Sequence, residues 1–256
     1  MRHVPRKRFG QHFLVDHHII AEIIHIIYPL PGDRMIEIGP GLGALTQPLL
    51  NNLDTLQAIE LDRDIVDYLS RNYAEKLVIH NVDALKFDFS ALGEGLRIVG
   101  NLPYNISTPL LFHLSRFSNL ITDMHFMLQL EVVERMVAQP STPDYGRLSL
   151  MLQNRFEMEQ MLIVPAEAFN PPPRVQSAIV CMRPRAVPVI PFELEKLFGE
   201  LVLAAFSQRR KTLRNTLRHY LTIEDFNQLK IDPGLRAENL SLEQYSAITR
   251  HIHKIR

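Results

Sequence analysis

The stretch Arg34-Met-Ile-Glu-Ile-Gly-Pro-Gly-Leu-Gly43 places a short, mostly apolar run directly before three glycines at alternate positions. An apolar run of this length that ends in glycine predicts a buried β-strand followed by a tight turn. A helical pattern begins near Ala44, so the predicted order is strand, glycine-rich turn and helix. Such a turn lets a ligand approach the backbone closely and leaves free N–H groups at the start of the helix.

The spacing of the three glycines narrows the class of ligand. A dinucleotide-binding turn has the spacing Gly-x-Gly-x-x-Gly, and a phosphate-binding loop contains Gly-Lys followed by Ser or Thr. Residues 39–43 have neither that spacing nor a lysine. We therefore expect a ligand that is bound without a phosphate, and a purely structural turn is an equally good interpretation of this motif alone.

Short β-rich runs and helical patterns alternate along most of the chain. Besides residues 34–38, strands are predicted at residues 56–59, 77–79, 97–99, 124–128 and 175–182. Helical patterns separate the first five of these runs. The alternation predicts an α/β fold with a mainly parallel, doubly wound, Rossmann-like sheet and a terminal antiparallel strand.

A proline-rich segment precedes the last quarter of the chain. Arg183-Pro-Arg-Ala-Val-Pro-Val-Ile-Pro191 contains three prolines, which is typical of a linker. The sequence after it is helical in pattern. We expect a larger domain at residues 1–186 and a small, all-helical domain at residues 187–256.

Acidic residues follow the second and third predicted strands. Glu60 ends the second strand, where a carboxylate can accept hydrogen bonds from both hydroxyls of a ribose. Asp83 follows the third strand, where it can accept a hydrogen bond from an adenine amine. Each could be a surface acid if taken alone. Together with Gly39 after the first strand, they suit an adenosyl group that carries a cationic sulfonium, as in S-adenosylmethionine.

The segment Gly100-Asn-Leu-Pro-Tyr-Asn-Ile-Ser107 follows the fourth predicted strand, where doubly wound folds place reacting groups. An exocyclic adenine amine is a poor nucleophile, because its lone pair is delocalised into the ring. The side-chain carbonyl of Asn101 and the backbone carbonyl of Leu102 can accept hydrogen bonds from its two N–H groups, which localises that lone pair. Pro103 makes the backbone rigid, and Tyr104 offers a ring on which a base can stack. The tetrapeptide alone fits methylation of adenine in RNA or DNA, or of an amide nitrogen, and its structural alternative is a turn with an Asn cap and a core Tyr.

The net charge of zero conceals basic segments that contain no acid. These segments are residues 1–15, 168–191 and 207–220. Together they could form a surface for the phosphates of a nucleic acid, although any one of them alone also fits a solvated helix face.

Other features of the sequence bear on location and redox chemistry. No uninterrupted apolar stretch is long enough to cross a membrane, and no signal-peptide pattern follows the basic N-terminus. We therefore expect a cytoplasmic protein without a membrane partner. The single cysteine, Cys181, lies in an apolar run, which is typical of a buried thiol.

Five motifs spread over nearly the whole chain resemble the ribosomal RNA adenine dimethyltransferase family. They are Gly10-Gln-His-Phe-Leu14, Glu37-Ile-Gly-Pro-Gly-Leu-Gly43, Gly100-Asn-Leu-Pro-Tyr-Asn-Ile-Ser-Thr108, Phe169-Asn-Pro-Pro-Pro-Arg-Val-Gln-Ser177 and Phe206-Ser-Gln-Arg-Arg-Lys-Thr-Leu-Arg214. The resemblance implies a class I methyltransferase fold and an enzyme that uses S-adenosylmethionine. The last motif, together with Arg236-Ala-Glu-Asn-Leu-Ser241, favours the branch that dimethylates N6 of two adjacent adenosines near the 3′ end of 16S rRNA.

The resemblance also implies roles for individual residues. The cofactor-binding residues would be Gln11, His12, Leu14, Gly39, Gly41, Glu60, Asp83 and Asn101. The transfer site would consist of Asn101, Leu102, Tyr104 and Phe169, with Phe169 as a second stacking aromatic or, alternatively, a core residue. A basic helix would hold phosphates of 16S rRNA, in the small subunit or its precursor, through Arg209, Arg210, Lys211 and Arg214. No metal is expected, and nothing in the sequence demands more than a monomer.

Two hypotheses from other functional classes stay open. An oxidoreductase with a dinucleotide cofactor is disfavoured by the glycine spacing and by the Asn-Leu-Pro-Tyr segment. A ribosome-assembly factor whose methylation is secondary is equally compatible with the sequence, because an enzyme and an assembly factor can share one RNA-binding surface.

Overall fold

The computed structural model describes residues 12–255, which contain nine β-strands and ten α-helices. The strands are β1 (Phe13–Leu14), β2 (Arg34–Ile38), β3 (Leu56–Glu60), β4 (Leu77–Asn81), β5 (Leu96–Asn101), β6 (Ile121–Gln129), β7 (Phe156–Val164), β8 (Phe169–Asn170) and β9 (Ser177–Pro184). The helices are α1 (His17–Ile27), α2 (Thr46–Leu50), α3 (Arg63–Tyr73), α4 (Ser107–Ser115), α5 (Leu130–Val137), α6 (Arg147–Gln153), α7 (Glu195–Ala205), α8 (Leu213–Thr216), α9 (Ile223–Gln228) and α10 (Leu242–Ile255).

Seven of the strands form one sheet in the order β4-β3-β2-β5-β6-β9-β7. β2 pairs in parallel with both β3 and β5, and parallel pairs also join β3 to β4 and β5 to β6. β9, the last strand in the chain, pairs antiparallel with β6. The strand order reverses at β2, which creates a crevice at the carboxyl ends of β2 and β5. The predicted doubly wound α/β sheet with a terminal antiparallel strand is confirmed.

The six predicted strands all occur, but three further strands were not predicted. β7 alternates between buried or partly buried and exposed positions, as an edge strand with one solvated face does. β1 and β8 have two residues each and exist because Leu14 pairs with Phe169 across a long stretch of chain. No local pattern predicts a pairing between segments so far apart.

The helix α1 shows how local sequence sets the elements around the sheet. The side chain of Asp16 accepts hydrogen bonds from the N–H groups of His18 and Ile19, which satisfies two free donors at the helix start. Its buried residues include Ile20 and Ile27, which are seven positions apart and therefore lie on one face. The same capping occurs at α3, where an aspartate precedes the first turn.

The described residues group into two compact units. The first contains the chain up to Val133 and also Met158–Pro184, and the second contains Glu134–Glu157 and the chain from Arg185 onward. The longer segment of the second unit begins at Arg185, and the predicted boundary lies between residues 186 and 187. It also includes residues 134–157, because Tyr145 and Leu150 are buried in its hydrophobic core. The division into functional domains at residues 1–186 and 187–256 stays a prediction.

The basic segment of the second unit is not the helix that the sequence predicted. Residues 206–212 form turns between the end of α7 and the start of α8, stabilised by a hydrogen bond of 2.9 Å from the Lys211 N–H to the Gln208 carbonyl. Arg209, Arg210 and Lys211 therefore project from a turn, and only Arg214 lies in a helix.

Candidate active site

A cavity of about 880 Å³ lies at the carboxyl ends of the parallel strands. Its wall includes Gly39 after β2, Glu60 at the end of β3, Asp83 after β4 and Asn101 at the end of β5. Ligand pockets of small molecules have volumes of roughly 300–1,000 Å³. The cavity is therefore large enough for a nucleoside-sized ligand and lies where doubly wound folds bind ligands.

The glycine-rich turn brings backbone to the cavity wall. Gly39 and Gly41 have φ angles of +67° and +54°, which residues with a Cβ rarely adopt. A Cβ on Gly41 would come within 3.3 Å of the Phe13 ring, and one on Gly39 would lie 3.8 Å from the carbonyl oxygen of Asn101. The positive φ angles therefore favour glycine at both positions, and at Gly41 the missing Cβ also lets the Phe13 ring pack closely against the turn.

Glu37 is a cavity residue that the sequence analysis did not single out. Its side chain is buried, lines the cavity and accepts a hydrogen bond of 2.6 Å from the Thr46 hydroxyl. The pKa of Glu37 is raised from its ordinary value of 4.5 to about 7, chiefly by burial, with a lowering by the Thr46 hydrogen bond and a smaller raising by the nearby Glu60 carboxylate. The available signal was a carboxylate inside an otherwise apolar strand, since such groups are rarely buried without a role.

Two more acids lie at neighbouring strand ends, as predicted. Burial raises the pKa of Glu60, opposed by hydrogen bonds from backbone N–H groups, among them that of Asp62 at 2.8 Å. The Asn81 side chain donates to the Glu60 carbonyl at 2.9 Å, so the end of β4 holds the end of β3. Asp83 lines the cavity, and its Oδ1 accepts from the Leu85 N–H at 3.0 Å.

The side-chain amide of Asn101, at the end of β5, has a defined orientation. Its Nδ2 donates to the backbone carbonyl of His12 at 3.3 Å, so Oδ1, the acceptor end, is directed away from His12. The Leu102 N–H donates to the Met127 carbonyl at 3.2 Å, and the Leu102 side chain is buried. Both Asn101 and Leu102 line the cavity.

Tyr104 also lines the cavity and is held at its backbone and at its hydroxyl. The Ser107 hydroxyl donates to the Tyr104 carbonyl at 3.0 Å, and the Tyr104 hydroxyl lies 2.8 Å from Ser177 Oγ. The ring of His12 lies nearly parallel to that of Tyr104, at an angle of 23° and with 6.2 Å between centroids. Burial raises the pKa of the Tyr104 hydroxyl, which keeps it protonated at neutral pH.

The segment around β1 supplies two further predicted residues, His12 and Leu14, to the cavity wall. His12 Nδ1 donates to the Pro171 carbonyl at 2.8 Å, since a carbonyl oxygen only accepts. Phe169 pairs with Leu14, but its ring is 3% exposed and packs in the hydrophobic core, outside the cavity wall. Its stacking role stays a prediction, and Gln11 lies outside the described residues.

The predicted RNA-contacting residues belong to the second unit. All four of them are exposed to solvent, namely Arg209, Arg210, Lys211 and Arg214. Arg209 Nη2 donates to the Pro143 carbonyl at 2.9 Å, and its Nε lies 3.6 Å from a carboxylate oxygen of Glu238. The guanidinium group of Arg209 thus already interacts with two groups of its own unit. The RNA contacts of all four side chains stay a prediction.

Other features of residues 12–255 concern metals, membranes and the thiol. No group of three or more His, Cys, Asp or Glu side chains in this part of the chain could hold a metal ion. None of its helices combines the length and the apolarity needed to cross a bilayer. Cys181 is buried, as predicted, and burial raises the pKa of its thiol.

Comparisons with known proteins identify relatives over the whole chain. The sequence profile of a family described as ribosomal RNA adenine dimethylase matches residues 2–254. The ribosomal RNA small subunit methyltransferase A of Nitrosomonas eutropha is 96% identical over 256 residues, which cover 100% of both chains. A dimethyladenosine transferase from Plasmodium falciparum has the same fold, with a TM-score of 0.81 and 24% identity over 95% of this chain and 98% of that chain. The 23S rRNA methyltransferase ErmE aligns with a TM-score of 0.74 and 24% identity, over 94% of this chain and 99% of its own.

Proposed function

Because the chain belongs to the ribosomal RNA adenine dimethylase family, we propose that it acts on the small ribosomal subunit or its precursor. The proposed reaction transfers methyl groups from S-adenosylmethionine to N6 of two adjacent adenosines near the 3′ end of 16S rRNA, giving N6,N6-dimethyladenosine. The observation that carries this proposal is the orientation of Asn101, whose amide N–H₂ end is engaged by His12 so that its carbonyl is available to a target amine.

The acids of the cavity wall fit a cationic adenosyl ligand. Glu37 and Glu60 are buried carboxyls with raised pKa values, and a positive charge nearby would favour their ionised forms. The residues proposed to hold the cofactor are Gln11, His12, Leu14, Gly39, Gly41, Glu60, Asp83 and Asn101. When bound, S-adenosylmethionine supplies an electrophilic methyl group on a cationic sulfur.

The loop after β5 is proposed to prepare the target amine. Asn101 Oδ1 and the Leu102 carbonyl accept hydrogen bonds from the two N–H groups of the amine, which favours a pyramidal nitrogen with a localised lone pair. The Tyr104 ring stacks on the base, which must first leave its own stack to enter the cavity. Phe169 is proposed as a second stacking ring, which requires it to move from the core position that it has in this structure.

The exposed cations of the second unit are proposed to hold rRNA phosphates. Arg210, Lys211 and Arg214, with Arg209 beside them, project from the turn and helix that follow α7. Phosphate contacts of this kind orient a protein on RNA without reading its sequence. In this proposal residues 1–186 bind the cofactor, residues 187–256 bind the RNA, and the protein works as a monomer in the cytoplasm.

Incubation with labelled S-adenosylmethionine and small subunits that lack the modification tests the proposed substrate. We expect label in two adjacent dimethylated adenosines near the 3′ end of 16S rRNA, mapped by nuclease digestion. Small subunits that already carry the modification serve as the matched control and should accept no label. Label in 23S rRNA of large subunits, or in protein, would overturn the assignment.

A further inference from the structure

Ser177 contacts the candidate active site from a different element than the loop that carries Tyr104. It begins β9, it is fully buried, and its Oγ lies 2.8 Å from the Tyr104 hydroxyl. Its backbone pairs with Gln129 of β6, so the central sheet fixes its position. A buried hydroxyl requires a hydrogen-bond partner, and the Tyr104 hydroxyl meets that requirement.

The contact fixes the Tyr104 ring at its far end. The near end is already held, because Ser107 binds the Tyr104 carbonyl and the Ile106 N–H donates to the Pro103 carbonyl at 3.1 Å. A tyrosine side chain held only by its backbone can rotate about two torsion angles. With the hydroxyl also bound, the ring is held at both ends before a substrate arrives, which reduces the entropy lost on binding.

We propose that Ser177 is a positioning residue that holds the Tyr104 ring in place for stacking of the target adenine. The inference rests on the proposed function, in which Tyr104 contacts the base. Ser177 itself does not contact the base and acts only through the Tyr104 hydroxyl. The two residues are 73 positions apart in the sequence, so no local pattern connects them.

A double-mutant cycle tests this inference with undermodified small subunits as substrate. Ser177→Ala removes the hydrogen bond from one side and Tyr104→Phe removes it from the other while keeping the ring. Each should lower kcat/KM for the subunits about 3- to 10-fold, as expected for one neutral hydrogen bond, with unchanged affinity for S-adenosylmethionine. The kcat/KM of the double variant should be no lower than that of the less active single variant, because both substitutions delete the same contact.

An equal loss from Ser177→Ala in the wild-type and Tyr104→Phe backgrounds would show that Ser177 acts by another route and would overturn the inference. If Ser177→Ala did not fold, Tyr104→Phe would still report the loss of the same bond. Ser149→Ala is the matched control, because Ser149 is a fully buried serine of the second unit whose hydroxyl donates to the Arg135 carbonyl. It should lower the melting temperature without changing kcat/KM.

Tyr104→Ala separates failure of this inference from failure of the proposed role of Tyr104. A lowered kcat/KM for Tyr104→Ala together with normal kinetics for Ser177→Ala and Tyr104→Phe would leave stacking intact and overturn only the positioning role. Normal kinetics for Tyr104→Ala would overturn both.

Discussion

The side-chain amide of Asn101 has two ends with different chemistry. The N–H₂ end donates to the His12 carbonyl, the carbonyl end is an acceptor, and the residue lines the cavity. In the proposed mechanism, a flipped amide would present a donor to the target amine, which would oppose the reaction. The contact with His12 therefore links the segment around β1 to Asn101, the residue at which the proposed chemistry takes place.

Asn101→Ala should abolish methyl transfer, because the target amine loses an acceptor that localises its lone pair. Removal of one preorganised polar contact of this type lowers kcat about 100- to 1,000-fold. The measurement is single-turnover methylation of undermodified small subunits, with S-adenosylmethionine affinity determined by calorimetry on the same variant. Saturating S-adenosylmethionine separates the loss of turnover from any loss of cofactor affinity, because Asn101 is also among the proposed cofactor-binding residues. Near-normal turnover would contradict the mechanism.

Glu37 makes the stability of the protein depend on pH. The pKa of Glu37 is raised from 4.5 to about 7 in the folded state, so its contribution to stability is fully present below pH 4.5 and is lost as the pH rises through 7. The difference between the two pKa values corresponds to on the order of 3 kcal/mol. Glu37→Gln keeps an acceptor for Thr46 and removes the ionisation.

Urea unfolding of the wild type and of Glu37→Gln at pH 5, 6, 7 and 8 measures this effect. The free energy of unfolding of the wild type should fall relative to that of the variant across this range, without bound cofactor. Glu60 is present in both proteins, so its own titration largely cancels in the comparison. Parallel curves would show that Glu37 does not titrate as proposed.

At the scale of elements, the close approach of β2 and β5 determines where the cavity forms. The strands pair in parallel from Arg34 and Leu96 to Glu37 and Val99. Just beyond that register, a Cβ on Gly100 would lie 2.5 Å from the Ile38 carbonyl oxygen, closer than real Cβ contacts come. Gly100 therefore lets the two strand ends, with Gly39 and Asn101, approach each other.

Gly100→Ala should destabilise the protein because backbone atoms must move to accommodate the methyl group. Overpacking of this type has a destabilising effect of about 1–3 kcal/mol. Gly199→Ala is the control, since Gly199 lies within α7 and a Cβ there would meet only the end of Met151 at 3.7 Å. That substitution should stabilise the protein by about 1 kcal/mol through helix propensity. Chemical unfolding of both variants measures the difference, and equal midpoints would contradict the steric argument.

At the scale of the whole molecule, the distribution of charge matters more than its sum. The chain has 28 basic and 28 acidic residues, yet residues 207–220 contain no acid. An RNA-binding surface can therefore exist on a protein without net charge. Residues 207–211 of this segment form turns whose side chains are exposed.

Binding of small-subunit rRNA should weaken steeply with added salt, because phosphate contacts release counterions. Each phosphate contact contributes about 0.7–0.9 to the slope of log K against log salt concentration. The triple variant Arg210→Ala, Lys211→Ala, Arg214→Ala should therefore show a shallower slope in filter-binding titrations. Arg71→Ala, an exposed arginine of α3, is the control and should leave the slope unchanged. A flat salt dependence of the wild type would exclude these residues as a phosphate surface.

The sequence by itself determined the parallel sheet, the glycine-rich turn and the strand ends that carry Glu60, Asp83 and Asn101. These features follow from periodicity and turn chemistry, which depend on neighbouring residues and are therefore readable along the chain. The same local signals do not report burial, which is why Glu37 of β2 was not singled out. The helix expected at residues 209–211 was an implication of the family resemblance, and the chain forms turns there.

Only the tertiary structure decided which distant groups meet. The pairing of Leu14 with Phe169, the contact of Asn101 with the His12 carbonyl and the hydrogen bond between Ser177 and Tyr104 join segments far apart in the sequence. The raised pKa of Glu37 likewise results from burial by the folded chain. Such contacts depend on how the sheet and helices pack, and a one-dimensional pattern carries no direct information about that packing.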